Sequence, residues 1–100
     1  MPSTYVYSSV YGNGKQTVGT TRQTLLGTAD RSSREVWITA DDANTGKLYL
    51  GDNSVTSTGG GNVFTKLQAG QIAVMQLSST SLLNVVGTAA SQTYYVGILE

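Results

Sequence analysis

Residues 34–40, with the sequence REVWITA, contain the clearest alternation of side chains in the chain. Val36, Ile38 and Ala40 fall on one face of an extended strand, and Trp37 falls on the other. β-Branched and aromatic residues in this arrangement favour a half-buried strand. The stretch therefore predicts an all-β fold in which the face carrying Val36 contacts the core.

Further strand candidates lie on both sides of this stretch, separated by turn residues. They are residues 4–11, 16–26, 47–51, 63–67, 71–77, 82–87 and 93–99. The strand at 71–77 is apolar on both faces, which favours a central position in a sheet. Seven or eight short antiparallel strands at this spacing predict a β-sandwich or jelly roll, with a small barrel as the alternative.

The chain of 100 residues is long enough for one domain. It contains no internal repeat and no linker that would divide it into two. We predict an N-terminal arm or first strand over residues 1–14, followed by a single β-sandwich domain over residues 15–100.

The charge content of the chain is low. Six basic and six acidic residues cancel, and charged residues make up 12% of the sequence, about half of the usual share. The basic residues are scattered singly, which argues against a nucleic-acid partner. Apolar runs are too short to cross a bilayer, so we expect no membrane partner. A neutral, charge-poor surface indicates contact with another subunit.

The sequence contains no cysteine and no histidine. Thiolate chemistry, the commonest general base and the commonest metal ligand are therefore missing. A carboxylate pair would have to come from residues at predicted turns, strand ends or termini, where solvent leaves carboxylates unperturbed. These residues are Asp30, Glu35, Asp41, Asp42, Asp52 and Glu100. We predict that the protein is not an enzyme and holds no cofactor.

Two segments partly match binding motifs. Residues 12–17 look like the end of a phosphate-binding loop, but Gln16 follows Lys15 where the motif requires Ser or Thr. Residues 41–46 carry the oxygen-rich side chains that suit calcium, but Gly46 comes one position too early for a calcium loop. Both segments are more typical of turns between strands, and we predict no metal site.

Aromatic residues give two further hypotheses. The N-terminal segment is apolar on both faces, so it either docks on a neighbouring subunit or forms the first strand of the sandwich. The candidate interface residues are Tyr5, Val6, Tyr7, Val10 and Tyr11.

Trp37 is expected in the core, where truncation to alanine would cost about 3–5 kcal/mol. The alternative is an exposed aromatic platform formed by Trp37, Tyr49 and Tyr95, which would suit carbohydrate binding.

From residue 34 onward the chain resembles small phage virion proteins. The resemblance follows five segments, namely residues 35–38 (EVWI), 48–51 (LYLG), 55–56 (VT), 67–74 (LQAGQIAV) and 94–99 (YYVGIL). It covers about two-thirds of the chain, measured against a single domain of this length. Proteins of this type are similar to capsid decoration (cement) proteins and to small accessory head or tail components.

The resemblance implies a non-enzymatic decoration protein on the outer surface of a phage head, with the major capsid protein as its partner and a homotrimer as its own assembly. No secretory signal is evident, so synthesis in the host cytoplasm is expected. Two alternatives remain: a head–tail adaptor or tail component of the virion, and a carbohydrate- or receptor-binding β-sandwich module.

Overall fold

The computed structural model describes residues 10–11, 14–27, 31–60 and 62–99. Its strands are β1 (Val10–Tyr11), β2 (Lys15–Val18), β3 (Gln23–Thr24), β4 (Glu35–Ala40), β5 (Leu48–Gly51), β6 (Val63–Leu67), β7 (Ile72–Met75), β8 (Asn84–Gly87) and β9 (Gln92–Leu99). They form two antiparallel sheets, which confirms the predicted all-β, sandwich-like single domain.

The first sheet has the order β1-β9-β4-β7, with β2 also paired to β9, and is called here the five-stranded sheet. The second has the order β3-β8-β5-β6 and is called the four-stranded sheet. Apolar side chains from both sheets meet in one buried cluster. The predicted alternation of β4 is confirmed, because Val36, Ile38 and Ala40 are buried in that cluster.

Strand β9 supplies the other half of the core beside β4. Tyr94, Val96 and Ile98 point inward, and Tyr94 is completely buried. The Tyr94 hydroxyl donates to the carbonyl oxygen of Leu25 at 2.7 Å and accepts from Nε2 of Gln23 at 3.0 Å. These bonds attach the centre of one sheet to the segment that enters the other.

The single strand expected over residues 16–26 is wrong, because the structure has two short strands there, in different sheets. Val18 ends β2, and the carbonyl oxygen of Gly19 accepts from the amide of Gly87 in β8 at 2.8 Å. The chain thus crosses from one sheet to the other at Gly19, and the exposed polar residues 20–22 span the gap. Local β propensity predicts a strand before and after Gly19, but it does not show that the chain changes sheets there.

The central position predicted for residues 71–77 is also wrong. Strand β7 pairs only with β4 among the described residues and lies at the edge of the five-stranded sheet. Its alternate residues face the core and the solvent, so the solvent-facing Ile72 and Val74 are exposed.

Trp37 is not a core residue, contrary to the expectation, because it lies on the solvent face of β4. Its position follows from the alternation of the strand, since Val36 and Ile38 on either side of it take the inward positions.

The strand predicted over residues 82–87 begins later than expected. Thr80–Leu82 form one turn of 3-10 helix, which Ser79 caps by accepting from the amide of Ser81. Strand β8 then runs over Asn84–Gly87.

The predicted N-terminal interface falls largely outside the described residues, where Tyr5, Val6 and Tyr7 lie. The backbone of Val10 and Tyr11 forms β1, which pairs with Leu99 and Ile98 of the same chain. A role of these residues between subunits, and the boundary at residue 14, stay predictions.

Candidate functional site

Four large apolar side chains are exposed on the outer side of the five-stranded sheet. Their exposed fractions are 45% for Trp37, 57% for Ile72, 51% for Val74 and 41% for Tyr95. The register places Val74 directly opposite Trp37, and it places Thr39 between Ile72 and Tyr95. The four residues therefore form one continuous surface around Thr39, which we call the open face.

The charged side chains that the structure describes near the open face lie at its rim. Glu35 Oε1 accepts a hydrogen bond of 2.6 Å from Trp37 Nε1, which orients the indole ring. Lys15 of β2 is opposite Tyr95. On the other side of Trp37 lies Gly97, where an added Cβ would meet nothing closer than the Cβ of Trp37 at 3.8 Å. One flank of the indole is therefore left uncovered.

The backbone of β7 adds hydrogen-bonding groups to this surface. The amide of Ala40 donates to the carbonyl oxygen of Gln71 at 2.9 Å, so Ala40 and Gln71 are a hydrogen-bonded pair of the β4–β7 ladder. In an antiparallel ladder every second residue bonds to the neighbouring strand, so Ala73 and Met75 bond to β4. The N–H and C=O groups of Ile72 and Val74 point away from the sheet.

The outer side of the four-stranded sheet is built differently. Residues 52–60 fold back against it, with Gly59 next to the ring of Tyr49 and Val55 next to Gly51. Val55 is 2% exposed, and Val86, which is opposite Tyr49, is fully buried. Lys66 Nζ lies 5.7 Å from the centroid of the Tyr49 ring. We call this surface the covered face.

The three-residue aromatic platform considered from the sequence does not form as one unit. Trp37 and Tyr95 share the open face, whereas the half-buried Tyr49 belongs to the covered face of the other sheet. Two aromatic residues remain together, with the aliphatic residues of β7 beside them.

A shallow depression of about 400 Å3 lies at the C-terminal end of β7. Its lining residues are Ser33, Arg34, Gln76, Leu77 and Ser78. Ser33 Oγ donates to the carbonyl oxygen of Leu77, which ties the two walls together. The depression is open to solvent, and none of the four apolar residues of the open face lines it.

The turn over residues 41–46 has a structural role. Asn44 Nδ2 donates to the carbonyl oxygen of Thr93 at 2.9 Å, and Asn44 Oδ1 accepts from the amide of Thr93 at 2.8 Å. The side chain thus pairs with β9 as a strand backbone would. No group of three or more acidic residues that could hold a metal ion occurs among the described residues.

Two of the carboxylates considered for catalysis also have local partners. Glu35 accepts from Trp37, and Asp52 Oδ1 accepts from the amide of Ser54 at 2.8 Å in a turn. Asp30 and Glu100 lie outside the described residues.

Within the described ranges, no helix is long and apolar enough to cross a membrane. Comparisons with protein families, with curated proteins and with solved structures find no match to this chain. The open face is consequently the candidate functional site on the strength of its geometry alone.

Proposed function

We propose that this protein is a non-enzymatic structural component of a phage particle, which decorates the outer surface of the head and bridges subunits of the major capsid protein. The observation that carries the proposal is the open face, an apolar surface whose charges, among the described residues, lie at its rim. The resemblance of residues 34–99 to small virion proteins supports the same function.

The size of the open face fits a protein that acts in many copies. Its exposed side chains offer roughly 300 Å2, taking about 200 Å2 for a buried aromatic residue and about 100 Å2 for an aliphatic one. Burial of that area contributes about 7 kcal/mol, which is similar to the cost of association. A single copy would bind weakly, and several linked copies would bind tightly. Association of this chain with further copies of itself would supply this linkage.

Quantitative mass spectrometry of purified virions from the source tests the proposal. We expect a copy number comparable to that of the major capsid protein. A count that fits a single ring or a tail would favour the head–tail adaptor or tail component. Absence of the protein from the particle would contradict both virion roles.

A carbohydrate-binding module is the second candidate, because Trp37 and Tyr95 are exposed on the same face. Aromatic rings on a flat surface stack on sugar rings. Trp37 is the single tryptophan of the chain, so its fluorescence reports on this face directly. A saturable change of emission on titration with host glycans would favour this candidate, and an unchanged emission spectrum would count against it.

A further inference from the structure

Strand β7 has the properties of a sheet edge that another strand can extend. It pairs with β4 on one side only within the described chain, and the hydrogen-bonding groups of Ile72 and Val74 point outward. Natural edge strands are protected by charged residues, prolines or bulges. Residues 71–77 (QIAVMQL) contain no charged residue and no proline, and the β4–β7 register is continuous.

The edge of β7 is complementary to itself in an antiparallel arrangement. If Ile72 of one copy is opposite Val74 of another, the outward groups of these residues form hydrogen-bonded pairs. A two-fold axis then passes between the two Ala73 residues. Residues directly opposite each other share a face, so the side chains of Ile72 and Val74 from both copies lie on the outer side.

We propose that β7 pairs with β7 of a second copy of this chain, about a two-fold axis at Ala73, so that the two five-stranded sheets become one continuous sheet. The uncharged strand meets no like charge across the axis, which favours a second copy as the occupant. This contact does not depend on the proposed virion function.

The contact would also enlarge the open face. Each copy offers roughly 300 Å2 of apolar side chain. Two copies side by side present about twice that area, which approaches the roughly 800 Å2 per partner of a standard protein interface. The edge alone is smaller than such an interface, so the dimer itself is weak and depends on concentration.

Sedimentation velocity of the full chain over a concentration series tests the association. We expect a reversible dimer in the wild type, and Val74→Pro to raise its dissociation constant at least tenfold. Because the N–H of Val74 points away from β4, proline removes an edge donor without removing a ladder bond. Phe64→Ala, on the edge strand β6 of the other sheet, is the control for loss of an exposed apolar edge residue and should leave the dimer within twofold of the wild type.

Disulfide trapping tests the register, because the chain has no cysteine of its own. Ala73→Cys should give a covalent dimer on oxidation, since the two Cα atoms would be about 4.5 Å apart. A mixture of Ile72→Cys and Val74→Cys should give a covalent heterodimer. Phe64→Cys, which is exposed on β6, should stay monomeric.

Three outcomes would overturn the proposal. The first is a wild-type protein that stays monomeric up to about 1 mM, the limit of weak association. The second is a dimer that Val74→Pro leaves unchanged. The third is a dimer sensitive to Val74→Pro that neither cysteine design traps, because this pattern would indicate that a different segment of the second copy occupies the edge.

Discussion

Strands β6 and β7 lie at the free edges of their sheets, and both expose apolar side chains. Phe64 of β6 is 66% exposed, and Ile72 of β7 is 57% exposed. The two strands differ in charge, because β6 also presents Lys66 and β7 presents no charged residue. A lysine on an edge strand opposes pairing with another chain. The four-stranded sheet is therefore protected at its β6 edge, and the five-stranded sheet is unprotected at its β7 edge.

The outer faces of the two sheets also differ in how far they are covered, and the five-stranded sheet is again the less protected one. Residues 52–60 cover Tyr49 and bury Val55 on one of them, while Trp37 and Tyr95 stay exposed on the other. The chain thus covers part of one apolar surface with its own loop and leaves the other uncovered. The open face is therefore the surface on which we propose that another molecule binds.

The largest expected change in the free energy of unfolding comes from truncating a side chain on the inward face of β4, and truncation on its outward face should cost less. Ile38→Ala should lower the free energy of unfolding by about 3–4 kcal/mol, because it leaves a cavity in the core. Trp37→Ala should cost only about 1–2 kcal/mol, because nearly half of that larger side chain is already exposed. Urea denaturation followed by circular dichroism measures both. A greater loss for Trp37→Ala would place the indole in the core and remove the open face.

Two glycines give the next comparison, one on each outer face. At Gly51 an added Cβ would lie 2.0 Å from the carbonyl oxygen of Asn62 and 3.1 Å from Val55 Cγ2. Gly51→Ala should therefore displace the covering loop at a cost of about 1–3 kcal/mol. Gly97→Ala has free space beside Trp37 and should change stability by less than about 1 kcal/mol. Equal losses in urea denaturation would show that both faces are covered.

Tyr94 and Tyr95 are neighbours in β9 that point to opposite sides of the sheet. Burial raises the pKa of Tyr94 from 10.0 to about 12, while a hydrogen bond from Gln23 acts in the opposite direction. The folded protein then holds this proton more tightly than the unfolded chain. The stabilisation is complete below pH 10 and is lost as the pH rises toward 12.

At pH 11 this effect should lower the free energy of unfolding by roughly 1 kcal/mol relative to pH 8. Tyr94→Phe should remove this part of the pH dependence, and Tyr95→Phe should retain it. Urea midpoints of the three proteins at both pH values provide the measurement. An identical pH dependence in all three would contradict the buried position of Tyr94.

The smallest expected effect on stability comes from removing the charge of Lys66 on the edge strand β6. Lys66→Thr removes the charge from β6 and its contact with the Tyr49 ring, which should cost less than about 1 kcal/mol. The β6 edge should then associate as β7 does, so light scattering should show larger species at the same concentration. Unchanged scattering would mean that the lysine is not what protects this edge.

Sequence reasoning identified the strands where alternation was regular. In β4 and over residues 94–98 of β9 each inward position is filled by an apolar residue, so these buried faces follow from the pattern, whereas the buried Gln92 at the start of β9 does not. It failed at Gly19 and at β7. A crossing between sheets leaves no periodic signal, and a strand that is apolar on both faces is compatible with a central position and with an exposed edge. Ile72 and Val74 were missed as site residues for this reason.

The predicted aromatic platform also shows what side-chain alternation within single strands cannot predict. Alternation correctly assigned Trp37 and Tyr95 to outward positions of their strands. It could not assign Tyr49 to the opposite sheet, because the pairing of β5 with β6 and β8 depends on contacts distant in sequence. Which outer face is covered depends on how residues 52–60 fold, and Gly59 and Gly60 are compatible with many conformations.

Binding of the purified protein to phage heads that lack it tests whether the open face is the surface that contacts the capsid, with Trp37→Ala and Phe64→Ala compared at equal concentration. Both side chains are exposed and aromatic, and they lie on different sheets. We expect Trp37→Ala to weaken binding to the heads at least tenfold and Phe64→Ala to change it less than twofold. Equal binding by the two variants, or no binding by the wild type, would contradict the account.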